Sequence, residues 1–150
     1  MKTIYFYIAI VCMVLQACSG SGAGEKSSLQ GTWKLLSGTT IQGKDTVHTD
    51  YTQGQEMIKI INDTHFAFLR HDLGHGKDSS AVFVAGGGSY TVKGNQYTEH
   101  LEYFNVREWE GNDFTLQYEI RDDTLITRGI EAVEALGVNH INIEKYVRVP

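Results

Sequence analysis

The chain has 150 residues and a formal net charge of −5, with charges of both signs scattered along it. That length suits one domain, and the lack of a basic patch excludes the electrostatic footprint of a nucleic-acid binder. The one proline stands at the last position, so no strand interior is demoted by it.

In chain order, Lys2 and the apolar run over residues 4–15 come first. They have the layout of a secretory leader, and the run is short for a bilayer span. Leu15, Ala17 and Cys18 in "LQAC" resemble the lipobox of bacterial lipoprotein signal peptides, with Gln16 a less usual residue at its place. The resemblance implies cleavage before Cys18 and lipidation of its thiol and new amine. It also implies anchorage at the outer membrane of a Gram-negative-type cell envelope, facing the periplasm or the outside. The chain then divides into a signal peptide (1–17), a lipidated cysteine with a flexible tether (18–29) and a folded domain (30–150). Cys12 leaves with the leader and Cys18 carries lipid, so no disulfide is expected and the fold must stand on its core. The Gly- and Ser-rich tether has a typical reach of roughly 18 Å.

Beyond Leu29 short β patterns are divided by turn signals. Strands are predicted over residues 31–38, 55–61, 65–71, 80–85, 89–93, 96–104, 113–121, 123–128 and 140–149. Asn62-Asp63-Thr64, Gly94-Asn95 and Gly111-Asn112 supply tight turns between them. Gly86, Gly87 and Gly88 precede a strand rather than a helix, which suits a bulge or bend and not a phosphate cradle. In "GIEAVEALG", Ile130, Val133 and Leu136 recur at helical spacing, so a short helix is predicted before the last strand. The fold class expected is all-β: an antiparallel up-and-down barrel of about eight to ten strands, with a β-sandwich as competitor.

"GTW", Gly31 to Trp33, resembles the Gly-x-Trp opening of lipocalins and other calycins, and Arg148 stands where an arginine of that superfamily packs across the tryptophan. The stretch over residues 86–104, "DDTLITRG" and the terminal "EKYVRV" look like bacterial lipocalin-like lipoproteins. The other lipocalin signatures are not evident, and the predicted helix precedes the last strand instead of coming after the barrel. The resemblance implies a calycin-type barrel closed by Trp33 and Arg148, and an aptitude for small hydrophobic or amphiphilic ligands.

Period-two alternation supplies candidate lining residues. Tyr97, Glu99, Leu101 and Tyr103 share one face; so do Phe66, Phe68 and Arg70, as do Tyr90 and Val92, and Phe114, Leu116, Tyr118 and Ile120. A buried carboxylate needs a partner, and this pattern offers Arg70, helped by the hydroxyls of Tyr97, Tyr103 or Tyr118. The ligand-binding candidates are therefore Phe66, Phe68, Arg70, Tyr90, Tyr97, Glu99, Tyr103 and Tyr118. Three plainer readings stand beside this: Glu99 wet at a barrel mouth, Glu99 capping a buried polar network that fixes register and binds nothing, or a strand turned over with Thr98, His100, Glu102 and Phe104 inside.

Tyr146 and Arg148 share a face in an order reversed from the Arg-x-Tyr of fatty-acid-binding barrels, and stacking of Arg148 on Trp33 is the simpler role. His71, Asp72 and His75 are weak metal candidates, because no fixed spacing holds them together. No nucleophile elbow or carboxylate pair is evident, so no catalysis and no cofactor are expected. The expected partners are a small hydrophobic or amphiphilic molecule and, through the lipid, a membrane. The alternative is a filled barrel that docks an envelope protein through the loops at residues 39–53 and 71–79. A small hydrolase or isomerase using a lumen Glu or His comes third.

Overall fold

A computed structural model describes residues 28–77 and 79–150; the leader, Cys18 and most of the tether lie outside the described residues. Nine strands are present among them: β1 (Gly31–Gln42), β2 (Asp45–Asp50), β3 (Gln55–Ile61), β4 (His65–Asp72), β5 (Phe83–Lys93), β6 (Gln96–Phe104), β7 (Asp113–Arg121), β8 (Thr124–Val133) and β9 (Val138–Arg148). All pairings are antiparallel. The order is β2-β1-β3-β4-β5-β6-β7-β8-β9, and β1 also pairs with β9. That last pairing closes an eight-stranded barrel from β1 and β3 to β9, so the ring itself has no end strand. β2 is an extra strand: the first half of β1 pairs with β3, and its second half turns back at Gly43-Lys44 to pair with β2. The residues expected to form a loop at 39–53 are thus largely hairpin.

The end where Trp33 lies is packed. Trp33, Leu35, Phe66, Tyr97, Leu125 and Tyr146 are buried there, each from the inward phase of its strand. The Arg148 guanidinium lies 4.1 Å from the centre of the Trp33 ring. Its terminal nitrogens donate to the carbonyls of Gln30 (2.8 Å) and Ser28 (2.6 Å), while Trp33 Nε1 donates to Leu29 O at 2.8 Å. The stacking of Arg148 on Trp33 is thus present at this end of the barrel.

Two features depart from the simple alternating pattern. The segment read as a helix continues β8 through Ile130 to Val133, paired in register with Ile141 to Val138. Only Glu134–Leu136 winds into a 3₁₀ turn, ended by Gly137 in the left-handed region at φ 64°. A nine-residue helix is marginal alone, whereas as a strand the segment extends the ladder with β9. The second departure lies in β6. Leu101 faces Gly88 and Tyr103 faces Gly87, so Glu102 is an extra, bulged residue. A bulge inverts the phase of the residues beyond it: Tyr103, expected inside, is 66% exposed, and Phe104 turns inward instead. The glycine run accommodates this. β5 passes through it unbroken, joining what reads as two strands, and a Cβ on Gly88 would lie 1.9 Å from the His100 carbonyl oxygen.

Candidate functional site

At the end opposite Trp33 the barrel is hollow. A partly open cavity of about 340 Å³ lies there, at the small end of ligand-site volumes. Its apolar wall includes Met57, Phe68, Phe104, Trp109, Phe114 and Leu116. Phe104 stands edge-on to both Phe68 and Trp109, with ring centres 5.4 and 6.1 Å apart. Trp109 reaches this wall from the 3₁₀ turn Arg107–Trp109 in the β6–β7 connection. That connection is folded back against β6 by hydrogen bonds from Gly111 N to Leu101 O and from Phe104 N to Glu110 Oε1, each 2.8 Å.

The other wall is polar: Tyr51, Lys59, Arg70, Glu99, Glu131 and Glu144. Glu99 points inward and is buried, as its strand phase predicts. Its partner is Lys59 of β3, whose Nζ donates to Glu99 Oε1 at 2.7 Å, and not Arg70. Lys59 also lies 4.0 Å from Glu144 Oε2 and over the rings of Phe66 and Tyr146 at 5.7 and 5.6 Å. Burial opposes its charge, but Glu99, Glu144 and Glu131 outweigh that and hold its pKa above the ordinary lysine value.

β8 and β9 complete the polar wall. Glu131 accepts from Asn142 Nδ2 at 2.8 Å and faces His140 Nε2 at 3.1 Å. Burial, and then the neighbouring charge of Glu144, raise the Glu131 pKa. Glu144 Oε2 accepts the Tyr146 hydroxyl at 2.6 Å. Burial, and then Glu144, push the Tyr146 phenol far above its usual range. The Tyr97 hydroxyl is buried and makes no hydrogen bond among the described residues; burial, and then Glu99, keep it protonated.

Of the expected ligand-binding residues, Phe68, Arg70 and Glu99 line the cavity. Arg70 does so while its Nε donates to Gln55 Oε1 at 2.8 Å and its guanidinium lies over the Tyr51 ring at 5.4 Å. Phe66 and Tyr97 are packed core beneath it. Tyr90 is occupied with the Asn62 carbonyl, 2.7 Å from its hydroxyl. Tyr118 packs beside the core near Gly94, and Tyr103 is outside. Tyr90, Tyr97 and Tyr118 lie away from the cavity because alternation marks a face without giving depth along the barrel axis, and Tyr103 because the bulge turns it outward.

The sequence reading missed Lys59, Glu131, Glu144 and Trp109, and placed Phe104 inside only in the alternative that turns the whole of β6 over. Glu144 carries a period-two signal, two residues before Tyr146 on one face. Glu131 is hidden by the helical spacing around it, and Phe104 by the bulge. Asp72 faces inward but serves the chain itself: its carboxylate accepts from Gly76 N (2.8 Å) and Val82 N (3.1 Å), latching the β4–β5 loop. Those bonds lower its pKa. His71 and His75 are not gathered with it: among the described residues no three His, Cys, Asp or Glu side chains come together as a metal site.

A family model described as "Domain of unknown function (DUF4488)" matches residues 28–150. No curated protein matches the chain. Among solved structures, an uncharacterized protein from Bacteroides eggerthii is 11% identical with a TM-score of 0.48, covering 81% of this chain and 100% of its own. A point mutant of the fluorescent protein UnaG is also 11% identical, with a TM-score of 0.37, covering 81% of this chain and 96% of its own. The fold is established by the strand pairing, independently of either likeness.

Proposed function

The chain belongs to the DUF4488 family, and we propose that its barrel binds a small amphiphilic molecule in the open half of the lumen. The observation that carries this reading is the division of one 340 Å³ cavity into an aromatic wall and a wall of acidic and basic side chains. A barrel serving only as a scaffold gains stability by filling that space, since an unfilled void forfeits packing contacts. The leader-like start and Cys18 support tethering of the barrel to a membrane by lipid, near a source of apolar ligands. The reading is of a carrier or sensor, not an enzyme.

Titration with a solvatochromic lipid probe tests it. Phe68→Ala is expected to weaken binding several-fold. Tyr103→Ala and Thr115→Ala, both on the outer wall, are expected to leave it unchanged. Equal effects of all three would remove the lumen from consideration and favour docking of an envelope protein through the outer surface.

A further inference from the structure

The polar wall of the cavity holds three carboxylates, Glu99, Glu131 and Glu144, against two permanent cations, Lys59 and Arg70. The cations do not serve all three equally. Lys59 is bonded to Glu99 at 2.7 Å and reaches Glu144 only at 4.0 Å. Arg70 is held on the other side by Gln55 and the Tyr51 ring, and among the described residues it makes no ion pair within 4.0 Å. Glu131 has the Asn142 amide and the His140 imidazole for partners, the imidazole forming an ion pair only when it is protonated, and no Lys or Arg within 4.0 Å among the described residues. Two neighbouring carboxylates, Glu131 and Glu144, are therefore left facing the cavity with no close Lys or Arg of their own: Lys59 is spent first on Glu99, and Glu131 has only the titratable His140 imidazole and an amide. Like charges so placed repel unless one takes a proton or a cation arrives.

We infer that the ligand's head group is a protonated amine, seated against Glu131 and Glu144 with its apolar part on Phe68, Phe104 and Trp109. An ammonium supplies three donors for the carboxylate oxygens of this wall and restores its charge balance. A carboxylate head would add a fourth negative group to the same space. This inference rests on the amphiphile-binding reading and adds the sign of the head group.

The test uses the full chain and three probes of one tail length: n-octylamine, n-octanol and n-octanoate. Fluorescence of Trp109 reports occupancy of the cavity, and the Trp109→Phe variant identifies its signal against that of Trp33, the other tryptophan. Octylamine is expected to bind about tenfold or more tighter than octanol at low salt, and octanoate weakest. Glu131→Gln is expected to reduce the amine-to-alcohol ratio to within about threefold. Glu144→Gln, checked for folding by near-ultraviolet circular dichroism, should do the same, so the result does not hang on one variant. Octanoate binding as tightly as octylamine, or an unchanged ratio in both variants, overturns the assignment of charge while sparing the cavity as a site. No Trp109 response to any of the three probes overturns the binding reading and this inference together.

Discussion

Lys59 Nζ and Glu99 Oε1 lie 2.7 Å apart inside the barrel, and the two side chains retain only 5% and 10% of their exposure. Forty residues separate them in the chain, and neither strand's phase could be tolerated without the other. An inward Glu99 alone is an unpaired buried charge; so is an inward Lys59.

The pair is asymmetric. Lys59 has a second carboxylate at 4.0 Å in Glu144, whereas Glu99 has Lys59 as its ion-pair partner. Lys59→Met is therefore expected to destabilise the barrel by about 3–5 kcal/mol, the usual cost of stranding a buried charge. Glu99→Gln is expected to cost less, because Glu144 still compensates the ammonium. The double variant should recover part of the Lys59→Met loss. Urea unfolding of the four proteins checks this; equal losses in the two single variants would mean that Glu144 does not share the charge.

Gly88 has no room for a methyl group, because the bulge in β6 brings the His100 carbonyl to 1.9 Å from where a Cβ would stand. Gly94 has nothing within 4 Å, and its constraint is only a φ of 64°. Gly88→Ala should lower stability by more than about 3 kcal/mol or prevent folding, whereas Gly94→Ala should cost about 1 kcal/mol through backbone strain. Thermal unfolding ranks them, and similar midpoints would argue against the bulge.

Arg148→Ala removes the stacking on Trp33 and two hydrogen bonds to main-chain carbonyls at the packed end. A loss of about 1–3 kcal/mol is expected, with probe affinity unaltered, since the cavity lies at the other end. A large change in affinity at unchanged stability would show that the two ends are not independent.

The pKa of Glu131 is raised in the folded protein by burial and then by Glu144. Its contribution is therefore full below the unfolded carboxyl pKa, about 4.3, and is lost as pH rises through the folded value. The groups facing it are Lys59 from β3, Arg70 from β4, Glu99 from β6, His140 and Glu144 from β9, and Tyr51. Asp72, Glu56, Glu102 and Glu110 are lowered and act oppositely, gaining stability above about pH 4 and losing it in acid. Their effect is common to wild type and variant. The difference in melting temperature, Glu131→Gln minus wild type, should therefore grow more favourable to the variant from pH 4 to pH 8. Octylamine affinity for the wild type should rise over the same interval. A difference independent of pH would remove the strained carboxylate from this account.

Much of the scaffold is legible in the sequence because period two is a local property. β4, β7 and the first half of β6 show their inner faces directly, and Glu99 is readable as inward among Tyr97 and Leu101. The Trp33–Arg148 closure is readable from the resemblance at the two chain ends. β3 is not readable in this way. Ile58 and Ile60 form one face, Met57, Lys59 and Ile61 the other, and both are apolar enough to be core. Hydrophobicity alone favours the face without lysine, yet Lys59 is the buried one and Ile60 is 41% exposed.

By itself the sequence determined that the chain forms short antiparallel strands joined in order, and which residues of most strands share a face. Both come from backbone geometry and turn chemistry, which act over a few residues. The tertiary structure alone decided that Lys59 rather than Arg70 meets Glu99, that the bulge at Glu102 exchanges Tyr103 for Phe104, and that Glu131 and Glu144 converge on one wall. Each depends on groups brought together across the barrel, where the cost of an unpaired charge or an overlapping atom is set by a distant strand.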